Sequence, residues 1–248
     1  MTFLDRYLRG DHEQVWADLR ELGPEARTDD ARAVAIETMR RVRRNVEAVR
    51  ARLDAAGYAF QEPDQAHVPP TPEADAELDV FEQQHGPLPL SLRAFYEIVG
   101  TVNFIQSWDQ LVQQRRREQS ADPVPEILYA GEFDPLAVEA PVCAYAKWKS
   151  PFNRRAWPLA LDECHKANYS GGENYAVLLP DAGADFRIYG MISNEEDMFG
   201  DWFVDYLRET FRGGGFRGTV DGDEFGIVGR RLPELRITRE LAEGLDSL

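Results

Sequence analysis

The densest set of chemically capable side chains is the stretch DECHKANYSGGENY, Asp162 to Tyr175. It holds a thiol (Cys164), an imidazole (His165), an amine (Lys166), acids including Asp162, and the amide of Asn168. A thiolate beside a histidine can attack a carbonyl or phosphoryl centre, with the imidazole carrying the proton. Cys164 and His165 are adjacent, however, and neighbours in a strand point to opposite faces. A pair made from Cys143 and His165 would have to be assembled by the fold. Both cysteines read equally well as small half-buried hydrophobes, which is their commonest use.

Other chemistry is thinner. The four histidines, His12, His67, His85 and His165, lie far apart in sequence, and none has another at metal-ligand spacing. We therefore expect no metal and no cofactor. No P-loop, dinucleotide-binding fingerprint, H-E-x-x-H or G-x-S-x-G occurs. RGGGFRG follows a helical pattern rather than preceding one, so it reads as a stop and turn and not as a phosphate cradle. EEDMFGD concentrates acid at Glu195, Glu196, Asp197 and Asp201. It lacks the spacing of a calcium loop, and it suits either a contact for a basic partner or the favourable negative charge ahead of a helix.

Positioning these groups falls to helices first and strands afterwards. Residues 1–60 read as an α-helical extension. Phe3, Leu4, Tyr7 and Leu8 form a short stripe. Asp11 with Gln14 suggests a capping box, and Val15, Trp16, Leu19 and Leu22 continue to Gly23-Pro24. Thr28, Asp29 and Asp30 then start a long helix whose apolar stripe is Met39, Val42, Val46, Val49 and Leu53. That stripe must pack within the chain or against a second copy, so a homodimer through the N-terminal helices is one expectation. Arg40 to Arg44, RRVRR, lies on the other face. It suits a phosphate patch or, with nothing aromatic interleaved, a solvated helix face.

Residues 61–72, rich in Pro and acid, read as a linker. Thr71 with Pro72 then caps a helix ending at Gly86, and a second helix carries Leu92, Phe95, Tyr96 and Val99 to Gly100. Strand-like runs follow at Ile127–Ala130, Val142–Trp148, Trp157–Leu161, Tyr175–Leu179, Arg187–Met191 and Phe225–Val228. DWFVDYLRETF forms one more amphipathic helix, and 213–248 reads as a C-terminal tail with a short helix. Helices, then strands, then a helix give an α+β fold: an antiparallel or mixed sheet against helices, preceded by the α-helical extension.

The 248 residues are 43% hydrophobic and 29% charged, with a net charge of -16. Residues 1–60 are neutral overall, whereas residues 61–110 hold one basic and nine acidic side chains and residues 171–248 hold eight and sixteen, -8 in each. Such a surface repels nucleic acid and steers basic proteins; acidity also serves solubility alone. No apolar run is long enough to cross a bilayer, no signal peptide is evident, and two cysteines are too few for a disulfide scaffold. The expectation is a cytoplasmic protein that contacts neither membrane nor nucleic acid directly.

Phe81-Glu82, Gly86, Leu88-Pro89, Phe95, Gly100 and Asn103 form an acidic-aromatic helix, an L-P step and a second helix ending in Gly. WPLALDE, NYAVLLPDAGADFRIYGM and FVDYLRETF follow in order. This ordered set resembles the SUKH superfamily over residues 73–212. The resemblance implies a binding module: bacterial members are commonly immunity proteins that neutralise toxins, often nucleases, and fungal relatives act as regulatory scaffolds in cell-wall synthesis. It implies no shared catalytic residues. We expect a non-enzymatic protein that binds a protein partner, such as a basic nuclease toxin. A regulatory scaffold, or a hydrolase using the 162–175 loop, is the alternative. The residues singled out for partner or ligand contact are Asp162, His165, Lys166, Asn168, Glu195, Glu196 and Asp197.

Overall fold

Thr28 accepts a hydrogen bond from the Ala31 amide, 3.2 Å, and Asp29 and Asp30 occupy the first turn of the longest helix. In this computed structural model, residues 1–139, 156–161, 166, 174–190, 199–218 and 235–248 are described. The helices are α1 (Phe3–Leu8), α2 (His12–Glu21), α3 (Asp29–Ala55), α4 (Ala74–His85), α5 (Leu90–Ile98), α6 (Trp108–Ser120), α7 (Glu126–Tyr129), α8 (Phe203–Arg212) and α9 (Arg236–Ala242). The strands are β1 (His67–Val68), β2 (Thr101–Asn103), β3 (Asp134–Pro135), β4 (Ala137–Val138), β5 (Ala156–Leu161), β6 (Asn174–Leu178), β7 (Arg187–Gly190), β8 (Phe199–Trp202) and β9 (Phe216–Arg217).

The fold is α+β, with antiparallel strands packed on helices. β5-β6-β7-β8 form a meander and β1-β2-β4 a second sheet. The Glu139 amide donates to the Leu159 carbonyl, 2.7 Å, and stitches the two sheets together beside β4 and β5. β3 pairs with β9 as a separate ribbon. No helix among the described residues is long and apolar enough to cross a membrane.

The stripe Met39, Val42, Val46, Val49 and Leu53 is fully buried, and α3 packs against α5. Each such side chain contributes about 1.5–3 kcal/mol of burial. One apolar cluster runs from Tyr7 through these residues to Phe95, Phe203 and Leu248. The N-terminal helices are therefore part of the same core as the rest. The stripe on which a homodimer was expected to form is covered by the chain itself.

Several expectations change at this level. Residues 61–72 are not a free linker: β1 pairs with β2, and the buried His67 places Nε2 3.1 Å from the Val99 carbonyl oxygen. A two-residue strand carries no period, so its composition read as a linker. Residues 127–129 are helical, not extended; Pro125 supplies the N-cap of α7, and the β-forming Ile127 and Tyr129 misdirected the reading. Asp11 precedes α2 without a side-chain capping bond, and α4 begins at Ala74, two residues beyond Pro72. The described parts of the tail, 213–218 and 235–248, are also built in, through β9, α9 and the buried Leu235, Leu241 and Leu248. The strand candidates at 142–148 and 225–228 lie outside the described residues.

Gly86 and Gly100, at the ends of the two helices that carry the superfamily resemblance, have φ of 88° and 89°. An alanine Cβ at Gly86 would stand 2.5 Å from Pro180 Cβ, and one at Gly100 would collide with the Val68 carbonyl and Pro70 nitrogen. Both positions need glycine for conformation and for close approach.

A pH dependence follows from two imidazoles, His67 buried and His12 half-buried. The Val99 carbonyl can only accept, so His67 Nε2 carries a proton. Burial holds His67 below the ordinary imidazole value, and burial with the fields of Arg41 and Arg208 does the same for His12. The unfolded chain then binds protons first as pH falls. The contribution of these histidines is complete above about pH 6.5 and is lost as pH falls through their depressed values. Melting temperature should fall between pH 7 and 5, and His67→Gln, which keeps a donor for Val99, should flatten that slope. An unchanged slope in thermal melts of the variant would contradict this assignment.

Candidate functional site

α4 and α5 meet through charge. Arg93, whose side chain is 11% exposed, reaches four carboxylates: Asp75 at 2.6 Å, Asp79 at 2.9 Å, Glu82 at 2.5 Å and Glu97 at 2.7 Å. Burial opposes its charge, but its hydrogen bonds to Asp75 and Glu97, with the fields and contacts of Glu82 and Asp79, raise the guanidinium above its ordinary value. Arg93 in turn is the main cause that lowers Asp75 below the usual carboxylate range. Glu82 also accepts from the Leu88 amide, 2.7 Å, and from Arg27, 3.1 Å. The carboxylate thus fixes the L-P step between the helices. Below it, Phe81 packs edge-on against Trp157, with centroids 4.6 Å apart, and His85 joins the same aromatic group.

The outer face of α4 follows from this anchoring. Leu78 is its buried residue, while Asp75, Glu77, Asp79 and Val80 are exposed, with Glu73 exposed at the N-cap. Arg93 neutralises part of this charge from beneath, and Arg32 lies 3.9 Å from Asp75 at its edge. The result is an acidic face, anchored through Arg93, with an exposed valine on it. Such a face can attract and orient a cationic protein surface.

The RRVRR face, by contrast, is engaged within the chain. Arg40 and Arg41 meet Glu37, Arg43 meets Glu47, and Arg44 meets Asp246 at 2.7 Å. This agrees with a helix face rather than a phosphate patch.

Lys166 is the one residue of the seven singled out that lies among the described residues. It does not sit on a polar rim. Its side chain is 0% exposed, with Nζ 2.6 Å from Asp134 Oδ1, 3.4 Å from the Tyr206 hydroxyl and 4.9 Å from the Tyr175 ring centre. The Tyr175 hydroxyl donates to Asp134 Oδ2, 3.1 Å. The amine is thus an internal ion-pair partner, shielded from solvent and from any dissolved substrate. Asp162, His165, Asn168, Glu195, Glu196 and Asp197 lie outside the described residues. Among the described residues, no group of three His, Cys, Asp or Glu is placed to hold a metal ion.

A second internal centre escaped the sequence reading. Asp185, with a fully buried carboxylate, accepts from Arg20 Nη2 at 2.8 Å and from Ser91 Oγ at 2.8 Å. Burial pushes its carboxyl up, and Arg20 and Ser91 oppose that shift. Arg20 also meets Asp205 at 2.9 Å and lies over the Trp202 ring. This centre joins α2, α5 and the start of α8. Its only sequence signal was an acid in PDAGADF, where turn chemistry was explanation enough. Arg93 had a better signal: a lone cation inside the apolar helix LSLRAFYEI.

Compared with known proteins, the chain matches no family model, no curated protein and no solved structure.

Proposed function

We propose that this protein is a protein-binding module of the immunity type, which neutralises a basic partner such as a nuclease toxin by docking it on the α4 face. The carrying observation is the exposure of Glu73, Glu77 and Val80 on a helix that Arg93 anchors through Asp75 and Asp79. The resemblance of residues 73–212 to the SUKH superfamily and the net charge of -16 support the same reading. Binding energy would come from the apolar contact, and charge would supply rate and selectivity. The burial of Lys166 removes one of the groups on which a hydrolytic reading of the 162–175 loop relied.

The test is capture of partners from the native cell extract, followed by rescue of growth when a captured toxin is co-expressed. Glu73→Lys with Glu77→Lys reverses two exposed charges and leaves the Arg93 contacts alone. The wild-type complex should weaken with salt, and the double variant should lose tenfold or more in affinity, chiefly in association rate. A captured partner that is acidic, or an affinity indifferent to both changes, would overturn the proposal.

A further inference from the structure

Residues 245–248 cross the middle of α3, on a face distinct from α4. Asn45, only 1% exposed, donates Nδ2 to the Asp246 carbonyl at 2.9 Å and accepts from the Asp246 amide at Oδ1, 2.8 Å. One side-chain amide thus satisfies both main-chain groups of one residue, as a neighbouring strand would. This contact reads main chain and is indifferent to the side chain carried there. Arg44 supplies the side-chain reading, 2.7 Å from the Asp246 carboxylate. Arg41 donates to the Ser247 carbonyl at 3.0 Å, and Arg208 Nε donates to the Leu248 oxygen at 2.9 Å. The Leu248 side chain is 5% exposed.

The receiving groups are themselves held. Arg41 Nη1 donates to His12 Nε2, 2.9 Å, and the guanidinium lies over the Tyr7 ring, 4.9 Å from its centre. Arg208 also donates to the His12 carbonyl, 3.1 Å. A cavity of about 590 Å³ continues beside the strap, lined by His12, Phe211, Arg212 and the strap itself. The strap joins the body through Glu243 and Gly244, both exposed, and Gly244 has φ of 67° with nothing near its Cβ position. The Leu245 amide donates to the Ala242 carbonyl at the end of α9, 3.3 Å, and release of the strap breaks that bond.

We propose that this face of α3 and α8 is a groove for an extended peptide bearing an acidic residue two places before a leucine, and that residues 245–248 fill it in cis. A partner's peptide of that chemistry enters by displacing the strap. The tethered strap competes at an effective concentration on the order of mM. The intact chain therefore takes such a peptide weakly, and release of the strap raises its affinity.

The test uses the full chain with a protease recognition sequence inserted between Glu243 and Gly244, and a fluorescein-labelled peptide AEGLDSL read by anisotropy. Cleaved protein should bind the peptide saturably, at least tenfold tighter than uncleaved protein. N-methylation of the peptide's aspartate removes the amide that Asn45 reads while leaving the protein unaltered. It should weaken binding tenfold or more, and the aspartate-to-alanine peptide should weaken it less. Asn45→Ala should match the N-methyl effect. No binding to cleaved protein, equal binding before and after cleavage, or full affinity of the N-methyl peptide would each overturn the proposal.

Discussion

Asp185→Ala is expected to lower the melting temperature by roughly 6–12 °C. The substitution removes a fully buried carboxylate and leaves Arg20 and Ser91 without their shared acceptor. Removing one member of a buried ion pair costs about 3–5 kcal/mol, because the other charge stays desolvated. Asp205, 2.9 Å from Arg20, retains part of the compensation and places the effect near the lower end, about 3 kcal/mol. For a chain of this size, each kcal/mol corresponds to about 2–4 °C. The effect should also appear as one cooperative transition, because Asp185 ties α2 to α5 and α8. A shift under about 2 °C, or separate melting of the N-terminal helices, would show that this centre does not join the two parts.

Lys166→Met should destabilise the chain by a similar amount, about 3–5 kcal/mol, since it strands Asp134 in the interior. Asp134 keeps the Tyr175 hydroxyl as a donor, but a neutral donor does not replace an ammonium 2.6 Å away. The informative comparison is Lys166→Met combined with Asp134→Asn. The asparagine removes the buried charge and still offers Tyr175 an acceptor. The double variant should recover most of the lost stability, giving a coupling of about 2 kcal/mol or more in chemical denaturation. Additive losses would mean that the two side chains do not form the pair seen here. The same measurement bears on Lys166 itself, because an amine available to solvent or ligand could be replaced at little cost.

Much of the fold was legible before any coordinates. The spacing of Met39, Val42, Val46, Val49 and Leu53 located α3, and Trp202 to Phe211 located α8, because helical period is a local property of the chain. Gly86 and Gly100 were readable as helix stops for the same reason. α6 was not legible. Its buried positions include Leu111 and Gln114, so its inner face carries little hydrophobic signal, and WDQLVQQRRREQS lacks a recognisable apolar stripe. Charge ownership was equally hidden. RRVRR looked like a free basic run, yet Arg44 belongs to Asp246, a partner about two hundred residues away.

The sequence by itself determined the α+β class, the main helices, the three strands of the meander near Trp157, Tyr175 and Arg187, and the acidic balance of residues 61–110 and 171–248. Those properties depend on near neighbours and on composition. Only the tertiary structure decided that the N-terminal helices share the core, that Lys166 is buried, and that Asp185, Arg93 and Asn45 are the polar centres. Each of those facts depends on what a distant segment brings: Arg20 meets Asp185 across 165 residues, and Asn45 meets Asp246 across 201. A charge reads as solvated in sequence because most are; it becomes a buried centre only when the fold supplies its partner and removes its water.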